Sequence, residues 1–200
     1  MTRRHTRGGR RNGSPGNQFR IIGGRWRGRR LAFPDGQDLR PTGDRVRETL
    51  FNWLAPLIEG SRCLDLFAGS GALGLEALSR GAATCTFVDT NQRACTTIEA
   101  HLKLLGETSA SVVHGAARGF LKGAPEPFDL VLLDPPFKAG ELPELCTLLE
   151  QGGWLADGAR VYLEHAGSQD SPELPDNWAV SRSGRAGNVA YALCIREKYR

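Results

Sequence analysis

The sequence has few of the features that mark membrane, secreted or metal-binding proteins. No apolar run approaches the ~18 residues that a bilayer-spanning helix needs. The five cysteines are scattered and form no Cys-x-x-Cys pair, so we expect neither a disulfide framework nor a zinc site. No cluster of His, Cys and Asp indicates another metal. We therefore expect a cytoplasmic protein that binds no metal and no membrane.

Acidic residues are missing from one end of the chain. The first thirty residues contain ten arginines and no acid, whereas the remaining 170 contain 16 basic and 22 acidic side chains. Residues 1–18 also have almost nothing to bury, and we expect a basic, disordered tail, with a merely solvated tail as the alternative. The charge distribution indicates that the first thirty residues bind a polyanion and that the remaining 170 residues do not.

Residues 19–40 are predicted to form a basic β-hairpin that binds nucleic acid, with its turn at Gly23-Gly24. Its arginines would contact phosphates, and Trp26 would offer a stacking surface beside them. Two further arginines near the next helix could line the rim of a substrate site. The candidate nucleic-acid-binding residues are Arg20, Arg25, Trp26, Arg27, Arg29, Arg30, Arg40 and Arg45.

Residues 41–200 alternate strands with helices, which predicts an α/β domain. We expect a mostly parallel seven-stranded sheet that ends in a C-terminal antiparallel pair. A helix that opens near Asp44 should bury Val46 and Leu50 and leave Arg45 and Arg47 off its buried stripe. Because the apolar residues of the sheet follow Asp44, we expect a chain without residues 1–30 to fold, with some loss of stability where Ile21, Ile22 and Trp26 cap the domain.

A cofactor site is predicted where a short buried strand is followed by Gly69, Gly71 and Gly74. This spacing matches G-x-G-x-x-G, so a dinucleotide enzyme is one candidate. A carboxylate at Asp65 would repel a pyrophosphate, but it suits a cationic cofactor with a free amino group. Asp89 ends the next strand, where an acid can bind both hydroxyls of a ribose.

A second chemical motif follows a central strand at Asp134, Pro135, Pro136 and Phe137. The prolines remove two N–H donors, so their carbonyls and the carboxylate face outward as acceptors. Such acceptors beside an aromatic ring suit a flat ligand with an NH2 group. We predict that Asp134 and the Pro135 carbonyl hold the amine hydrogens while Phe137 stacks on the base.

These motifs resemble known proteins. Asp-Leu-Phe-Ala-Gly-Ser-Gly and Asp-Pro-Pro-Phe together resemble the Rossmann-like amino-methyltransferases that use S-adenosyl-L-methionine (AdoMet). The segments that start at Arg20 and Arg40 are similar to the ribosomal small-subunit methyltransferase D family. The resemblance implies AdoMet as cofactor and methyl transfer to N2 of one guanine in 16S rRNA. It also implies an assembled or partly assembled 30S subunit as substrate, and we expect a monomeric enzyme.

The resemblance also implies roles for individual residues. Many relatives place an Asp or Asn after the third strand of the domain to bind the adenine amine. This chain has Gly115-Ala116-Ala117 there, so adenine recognition would depend on backbone groups and apolar packing. The implied cofactor-binding residues are Asp65, Phe67, Gly69, Gly71, Asp89 and Ala116, and the implied base-binding residues are Asp134, Pro135 and Phe137.

Other functions share parts of this pattern. A DNA adenine-N6 methyltransferase usually needs a further recognition domain, for which the sequence after Leu142 leaves no room. A protein-glutamine methyltransferase would not need an arginine hairpin. An NAD enzyme would lack its second mononucleotide-binding half. A non-catalytic RNA-binding assembly factor is the alternative from another class, and the intact Asp65, Asp89 and Asp134 argue against it.

Overall fold

A computed structural model describes residues 17–33, 43–136 and 141–197 of the chain. A seven-stranded sheet lies at its centre with helices on both faces, and a small hairpin packs outside them. The hairpin strands are β1 (Gln18–Arg20) and β2 (Arg30–Ala32). The sheet strands are β3 (Arg62–Asp65), β4 (Thr84–Asp89), β5 (Ala110–His114), β6 (Phe128–Leu133), β7 (Leu155–Ala166), β8 (Trp178–Ala186) and β9 (Val189–Arg196). The helices are α1 (Asp44–Leu54), α2 (Ala72–Ser79), α3 (Gln92–Leu105), α4 (Ala117–Phe120) and α5 (Glu141–Gln151).

The strand order in the sheet is β5-β4-β3-β6-β7-β9-β8. The first five strands run parallel, and β9 and β8 complete the sheet as an antiparallel pair. This arrangement confirms the Rossmann-like fold class. One strand is longer than its apolar run, residues 159–164, predicts: β7 begins at Leu155, which pairs with Phe128 before the register shifts at a bulge. The short helix α4 was also not predicted.

Two apolar clusters cover the two faces of the sheet. Helices α1, α2 and α3 contribute to the cluster on one face, and α4 and α5 contribute to the cluster on the other. Strand β6 is buried on both faces, which explains its almost continuous apolar sequence. Among the described residues, no helix is both long enough and apolar enough to cross a membrane.

The hairpin shares the core of the main domain. Phe19, Ile21 and Leu31 are buried in the same cluster as α1, α2 and α3. Between its strands the chain forms a 3-10 turn at Gly24–Trp26, so the loop is longer than the predicted two-residue turn. Removing these side chains would expose the apolar surface that they cover, so we expect a chain without the hairpin to be less stable, and its ability to fold stays a prediction.

Trp26 anchors the hairpin on α2, which corrects its expected role as a stacking surface. Only 8% of the residue is exposed, and its backbone N–H donates to Ser79 Oγ at 3.0 Å. The hydroxyl of Ser79 donates in turn to the carbonyl of Gly23 at 2.6 Å. The guanidinium of Arg25 lies 4.2 Å from the centre of the indole ring and covers part of it. A base therefore has little of the ring to stack on.

A buried carboxylate on α2 holds the hairpin backbone. Glu76 is fully buried, and its two oxygens accept hydrogen bonds from the N–H groups of Ile22 and Gly23, both at 2.8 Å. Arg80 Nε donates to the same carboxylate at 2.7 Å, and a guanidinium nitrogen of Arg47 lies 3.9 Å from it. A carboxylate with this many donors can remain charged in the interior.

Arg47 also departs from the sequence prediction. It was expected on the exposed side of α1, but it is fully buried. Its guanidinium donates to the carbonyl of Arg20 at 2.9 Å and to Asp44 Oδ1 at 2.6 Å. The reason lies outside its own helix, because Glu76 supplies the negative charge that offsets burial of the guanidinium. Arg47 is therefore a structural link between α1, α2 and the hairpin.

Replacing Glu76 should destabilise the protein. In a Glu76→Ala variant, two backbone N–H groups and Arg80 Nε would lose their acceptor and the buried Arg47 would lose its ion-pair partner, at a cost of roughly 3–5 kcal/mol for breaking such a buried pair. Urea denaturation of full-length protein measures the change in unfolding free energy. The control is Glu99→Ala on the exposed side of α3, which should change stability by less than about 0.5 kcal/mol. Equal stability of the two variants would contradict the anchoring role.

Candidate active site

Four strand ends bring the predicted cofactor and base-binding residues to one edge of the sheet. Strands β5, β4, β3 and β6 are parallel neighbours, so their carboxyl ends lie side by side. Asp89 and Asp65 end β4 and β3, while Ala116 and Asp134 follow β5 and β6 closely. Open α/β sheets bind their ligands at this edge. The sequence motifs, separated by up to seventy residues, therefore meet in space.

The glycine loop turns sharply between β3 and α2. Gly69 and Gly71 have φ angles of 52° and 77°, a region that other residues rarely adopt. A Cβ added at Gly71 would also lie 3.0 Å from Ile98 Cγ1 on α3. Phe67, just before the loop, is partly buried against the cluster of α4 and α5. Glycine is thus required at Gly71 both by the backbone and by the neighbouring helix.

Asp89 connects the glycine loop to the turn after β4 through hydrogen bonds. Its Oδ2 accepts from the N–H of Gly69 at 2.7 Å, and its Oδ1 accepts from the N–H of Asn91 at 2.7 Å. Asn91 in turn caps α3 by accepting from the N–H groups of Arg93 and Ala94. The carboxylate is half-buried, and each oxygen retains lone pairs for a ligand hydroxyl.

Asp65 is a buried acid beneath the loop. It is 2% exposed, and its Oδ2 accepts from the N–H of Gly74 at 3.0 Å. Burial, opposed by the hydrogen bond from Gly74 and assisted by the nearby carboxylate of Asp89, raises the pKa of Asp65 to about 7. A group in this state gains most from an added cation, because a positive charge favours its ionised form.

Ala116 lies where the resemblance places the adenine of the cofactor. Its side chain is exposed, and it precedes α4 as the N-cap residue, with its carbonyl accepting from the N–H of Phe120 at 3.0 Å. Gly115 donates its N–H to the carbonyl of Asp89 at 2.9 Å, which joins this turn to β4. The surface offers a methyl group and backbone atoms to a ligand and no acidic side chain at this position.

Asp134 and Pro135 lie directly after β6, at the centre of the sheet. Asp134 is half-buried and Pro135 is buried. Phe137 lies outside the described residues, so its predicted stacking role stays a prediction. Pro135 cannot donate a backbone hydrogen bond, so the sequence leaves carbonyl and carboxylate oxygens as the polar groups here.

Two polar residues beside Asp134 were not predicted. On β7, the Tyr162 hydroxyl donates to Glu164 Oε1 at 2.7 Å, and Glu164 is only 4% exposed. The pairing of Leu133 with Leu163 brings Glu164 level with Asp134 on the neighbouring strand. Burial, Glu164 and Asp134 all raise the pKa of Tyr162, so its hydroxyl stays protonated as a donor. The available signal was the alternation of β7, which puts Tyr162 and Glu164 on one face.

The loop of the N-terminal hairpin lies far from this edge. It packs against the C-terminal half of α2, and Arg25 forms an ion pair with Glu107, just beyond the end of α3. The 14 residues of α3 span about 21 Å, and its other end adjoins Asp89. Arg25 and Asp89 therefore lie at opposite ends of this helix.

The remaining predicted RNA-binding residues are mostly exposed. Arg20 pairs with Asp44 at 3.7 Å, whereas no acid of the described residues lies within ion-pair distance of Arg27, Arg29, Arg30 or Arg45. Arg40 lies outside the described residues. In the part of the chain that the structure describes, no group of three or more His, Cys, Asp or Glu is arranged to hold a metal ion.

Comparison with known proteins gives close relatives. Ribosomal RNA small subunit methyltransferase D of Escherichia coli K12 is 50% identical over 186 residues, which cover 93% of this chain and 94% of that protein. The protein of the same name from Haemophilus influenzae Rd is 42% identical, covering 88% of this chain and 93% of its own length. Nearly the whole of each relative is therefore matched.

A solved structure and a family model agree with these matches. The Escherichia coli protein yhhF, a candidate methyltransferase, superposes with a TM-score of 0.86 at 49% identity, covering 90% of this chain and 99% of that one. The sequence model of the family described as Conserved hypothetical protein 95 matches residues 19–195. The chain therefore belongs to this family, and its relatives include proteins named ribosomal RNA small subunit methyltransferase D.

Proposed function

We propose that the protein transfers a methyl group from AdoMet to the exocyclic N2 amine of a guanine in 16S rRNA. The observation that carries the proposal is the meeting of Asp65, Asp89 and Asp134 at adjacent strand ends, in a chain half identical to a named rRNA methyltransferase. We further propose that it acts in the cytoplasm as a monomer, on an assembled or partly assembled 30S subunit.

The residues at the edge fit AdoMet. Asp65 offers a buried carboxyl that a ligand ammonium would ionise, and Asp89 offers oxygens to ribose hydroxyls. The turns at Gly69 and Gly71 let the loop backbone approach a ligand, and Ala116 would pack against the adenine with its methyl group and backbone. When bound, AdoMet supplies an electrophilic methyl group on a sulfonium.

The base would be held by acceptors. Asp134 and the carbonyl of Pro135 would accept the two N2 hydrogens and so aim the nitrogen lone pair away from them, with Phe137 on the face of the base. Rate enhancement would come from this orientation, since the amine must be held in one geometry. The amine becomes acidic once methylated, and Asp134 would then accept its proton. Glu164 and Tyr162 would fix the neighbouring strand end.

The experiment that tests the function combines full-length protein and labelled AdoMet with small subunits from a strain that lacks the corresponding methyltransferase. Digestion of the 16S rRNA and chromatography of its nucleosides identify the product. We expect label in N2-methylguanosine at one position. Label in methyladenosine, or in protein, would contradict the proposal. Binding of AdoMet without any methyl transfer would favour a non-catalytic assembly factor.

Asp134→Ala should abolish methyl transfer in the same assay and change AdoMet affinity by only a few-fold, because the partner of Asp134 is the base. Loss of one oriented charged group at a reacting centre commonly costs two or more orders of magnitude in kcat. Calorimetric titration with AdoMet serves as the control for folding. Near-normal turnover of this variant would remove Asp134 from the catalytic site.

Asp89→Ala should weaken AdoMet binding strongly. Each charge-assisted hydrogen bond to the ribose contributes about 1.5–3 kcal/mol, so affinity should fall at least tenfold. The structure adds a second effect, since the N–H groups of Gly69 and Asn91 also lose their acceptor. Asp89→Asn keeps one acceptor oxygen, and its affinity should lie between those of Asp89→Ala and the wild type. Unchanged affinity of Asp89→Ala would exclude the ribose contact.

AdoMet binding should release a proton at pH 6. The folded pKa of Asp65 is raised to about 7, so the carboxyl is mostly protonated at pH 6 and ionises beside a bound ammonium. Affinity should therefore rise with pH up to about 7. The unfolding free energy of the ligand-free protein depends on pH in the opposite direction. The folded protein holds a proton on Asp65 that the unfolded chain loses above pH ~4, so the contribution of Asp65 to stability decreases between pH ~4 and ~7.

Calorimetry at pH 6 in buffers with different ionisation enthalpies counts the released protons. We expect a release approaching one proton at pH 6, which falls to roughly a quarter of a proton at pH 7.5. The control is Asp170→Asn, an exposed acid that should leave the proton count unchanged. If the wild type releases no proton at pH 6, Asp65 does not face the ammonium group.

A further inference from the structure

The last three strands rise above the rest of the active-site edge. Leu163 of β7 pairs with Leu133, the last residue of β6, but β7 continues for three more residues to Ala166. At about 3.3 Å per residue, this extension is about 10 Å high. Ala166 pairs with Val189, and Val189 pairs with Ala186. Strands β7, β9 and β8 therefore form a wall beside Asp134, and the β8–β9 turn lies at its top.

The outer strand of this wall carries two exposed arginines. Arg182 and Arg185 lie on β8, and no acid of the described residues is within ion-pair distance of either. At the opposite end of the β8–β9 pair, Arg196 is paired with Glu150 at 2.9 Å and with Asp157 at 3.4 Å. In the β8–β9 pair, the charge of Arg196 is thus neutralised at the far end of the sheet. The charges of Arg182 and Arg185, towards the active-site edge, have no acid of the described residues within ion-pair distance.

The two arginines occupy opposite faces of the wall. Arg182 is level with Leu193 and Tyr162, and Arg185 is level with Ala190 and His165. Partners in register share a face, and Tyr162 and His165 are an odd number of residues apart on β7. Three strand spacings of ~4.8 Å separate β8 from β6, so the backbone of Arg185 lies roughly 14 Å from that of Asp134.

We propose that the β8–β9 end of this wall, residues 182–189, binds phosphates of the nucleotides that flank the methylated guanine. The proposal rests on the proposed function, because it needs RNA at the Asp134 edge. Stacked nucleotides advance ~3.4 Å along a strand, so a separation of ~14 Å corresponds to about four nucleotides. Cations at this rim would also offset the repulsion between phosphates and the acidic centre of the edge, which holds Asp65, Asp89, Asp134 and Glu164.

The N-terminal hairpin places its described loop away from these contacts. Its loop is bound to the ends of α2 and α3 that point away from the active-site edge, about 21 Å from Asp89 along α3. Its arginines can hold a distant part of a large RNA, but the backbone next to the target base needs cations nearby. Arg182 and Arg185 are exposed cations of the described residues that stand on the wall beside Asp134.

The test compares full-length Arg182→Glu, Arg185→Glu and the double variant with wild type in the small-subunit methylation assay. The control is Lys122→Glu, which makes the same charge change at an exposed residue that has no ion pair within the described residues and that follows α4. Arg185→Lys keeps the charge and tests rescue. Titration with AdoMet verifies that each variant is folded and that its cofactor site is intact.

We expect each reversal to raise the KM for small subunits roughly tenfold, as for loss of one charge-assisted hydrogen bond, with kcat at saturation and AdoMet affinity unchanged. The salt dependence of binding should also flatten by about 0.7 log units per tenfold salt for each lost phosphate contact. Arg185→Lys and Lys122→Glu should behave like wild type in both measurements.

Two results would overturn the proposal separately from the function. If the wild type methylates guanine but the double variant matches Lys122→Glu in KM and salt slope, the wall does not bind RNA. A photo-crosslinker placed at Ser183 should map within about four nucleotides of the modified guanine, on the spacing above. Crosslinks to a ribosomal protein or to distant RNA would exclude the proposed partner. If the wild type methylates no RNA, the proposed function fails and this inference fails with it.

Discussion

The close packing of α2 against the sheet is the constraint on which the rest of the structure depends. A Cβ at Gly74 would lie 2.2 Å from Phe87 Cε1 and 2.8 Å from Cys85 Sγ, so the helix can approach β4 only because this residue is glycine. The same residue donates its N–H to Asp65. One glycine therefore sets both the distance of the helix from the sheet and the surroundings of the buried acid. The N-terminus of α2 receives the glycine loop, and its middle presents Glu76 to the hairpin.

This arrangement divides the molecule into two ends with different charges. The carboxyl ends of the strands hold Asp65, Asp89 and Asp134, whereas the ends of α2 and α3 hold the arginine-rich loop. Repulsion between an acidic centre and RNA phosphates requires positive charge elsewhere on the molecule, and electrostatic binding then becomes strongly salt-dependent. A substrate that touches both ends must be larger than a few nucleotides, which agrees with a folded RNA or a ribosomal particle as the proposed partner.

Local signals in the sequence were sufficient for most of the fold and for the placement of three acids at one edge of the sheet. The apolar pattern predicts strands over Ala110–His114 and Phe128–Leu133, which are the bounds of β5 and β6. Asp65, Asp89 and Asp134 lie at strand ends as expected. The failures concern residues whose surroundings come from distant parts of the chain. Trp26 and Arg47 look like exposed residues of basic segments, but both are buried. The hairpin residue Trp26 is held by Ser79, and Arg47 of α1 pairs with Glu76. The early start of β7 likewise depends on a bulge opposite Phe128.

Glu164 shows why a buried acid deserves a functional explanation. Removing a carboxylate from water is costly unless donors compensate, and one donor here is the Tyr162 hydroxyl. Asp134 on the next strand increases that cost, because two neighbouring negative charges repel each other. A protein that needed only a stable strand end would place an apolar residue at this position. On the proposed function, retaining the acid is explained by the ligand: a base edge with several N–H donors matches a site made of acceptors, whereas an edge that presents an acceptor would face repulsion there.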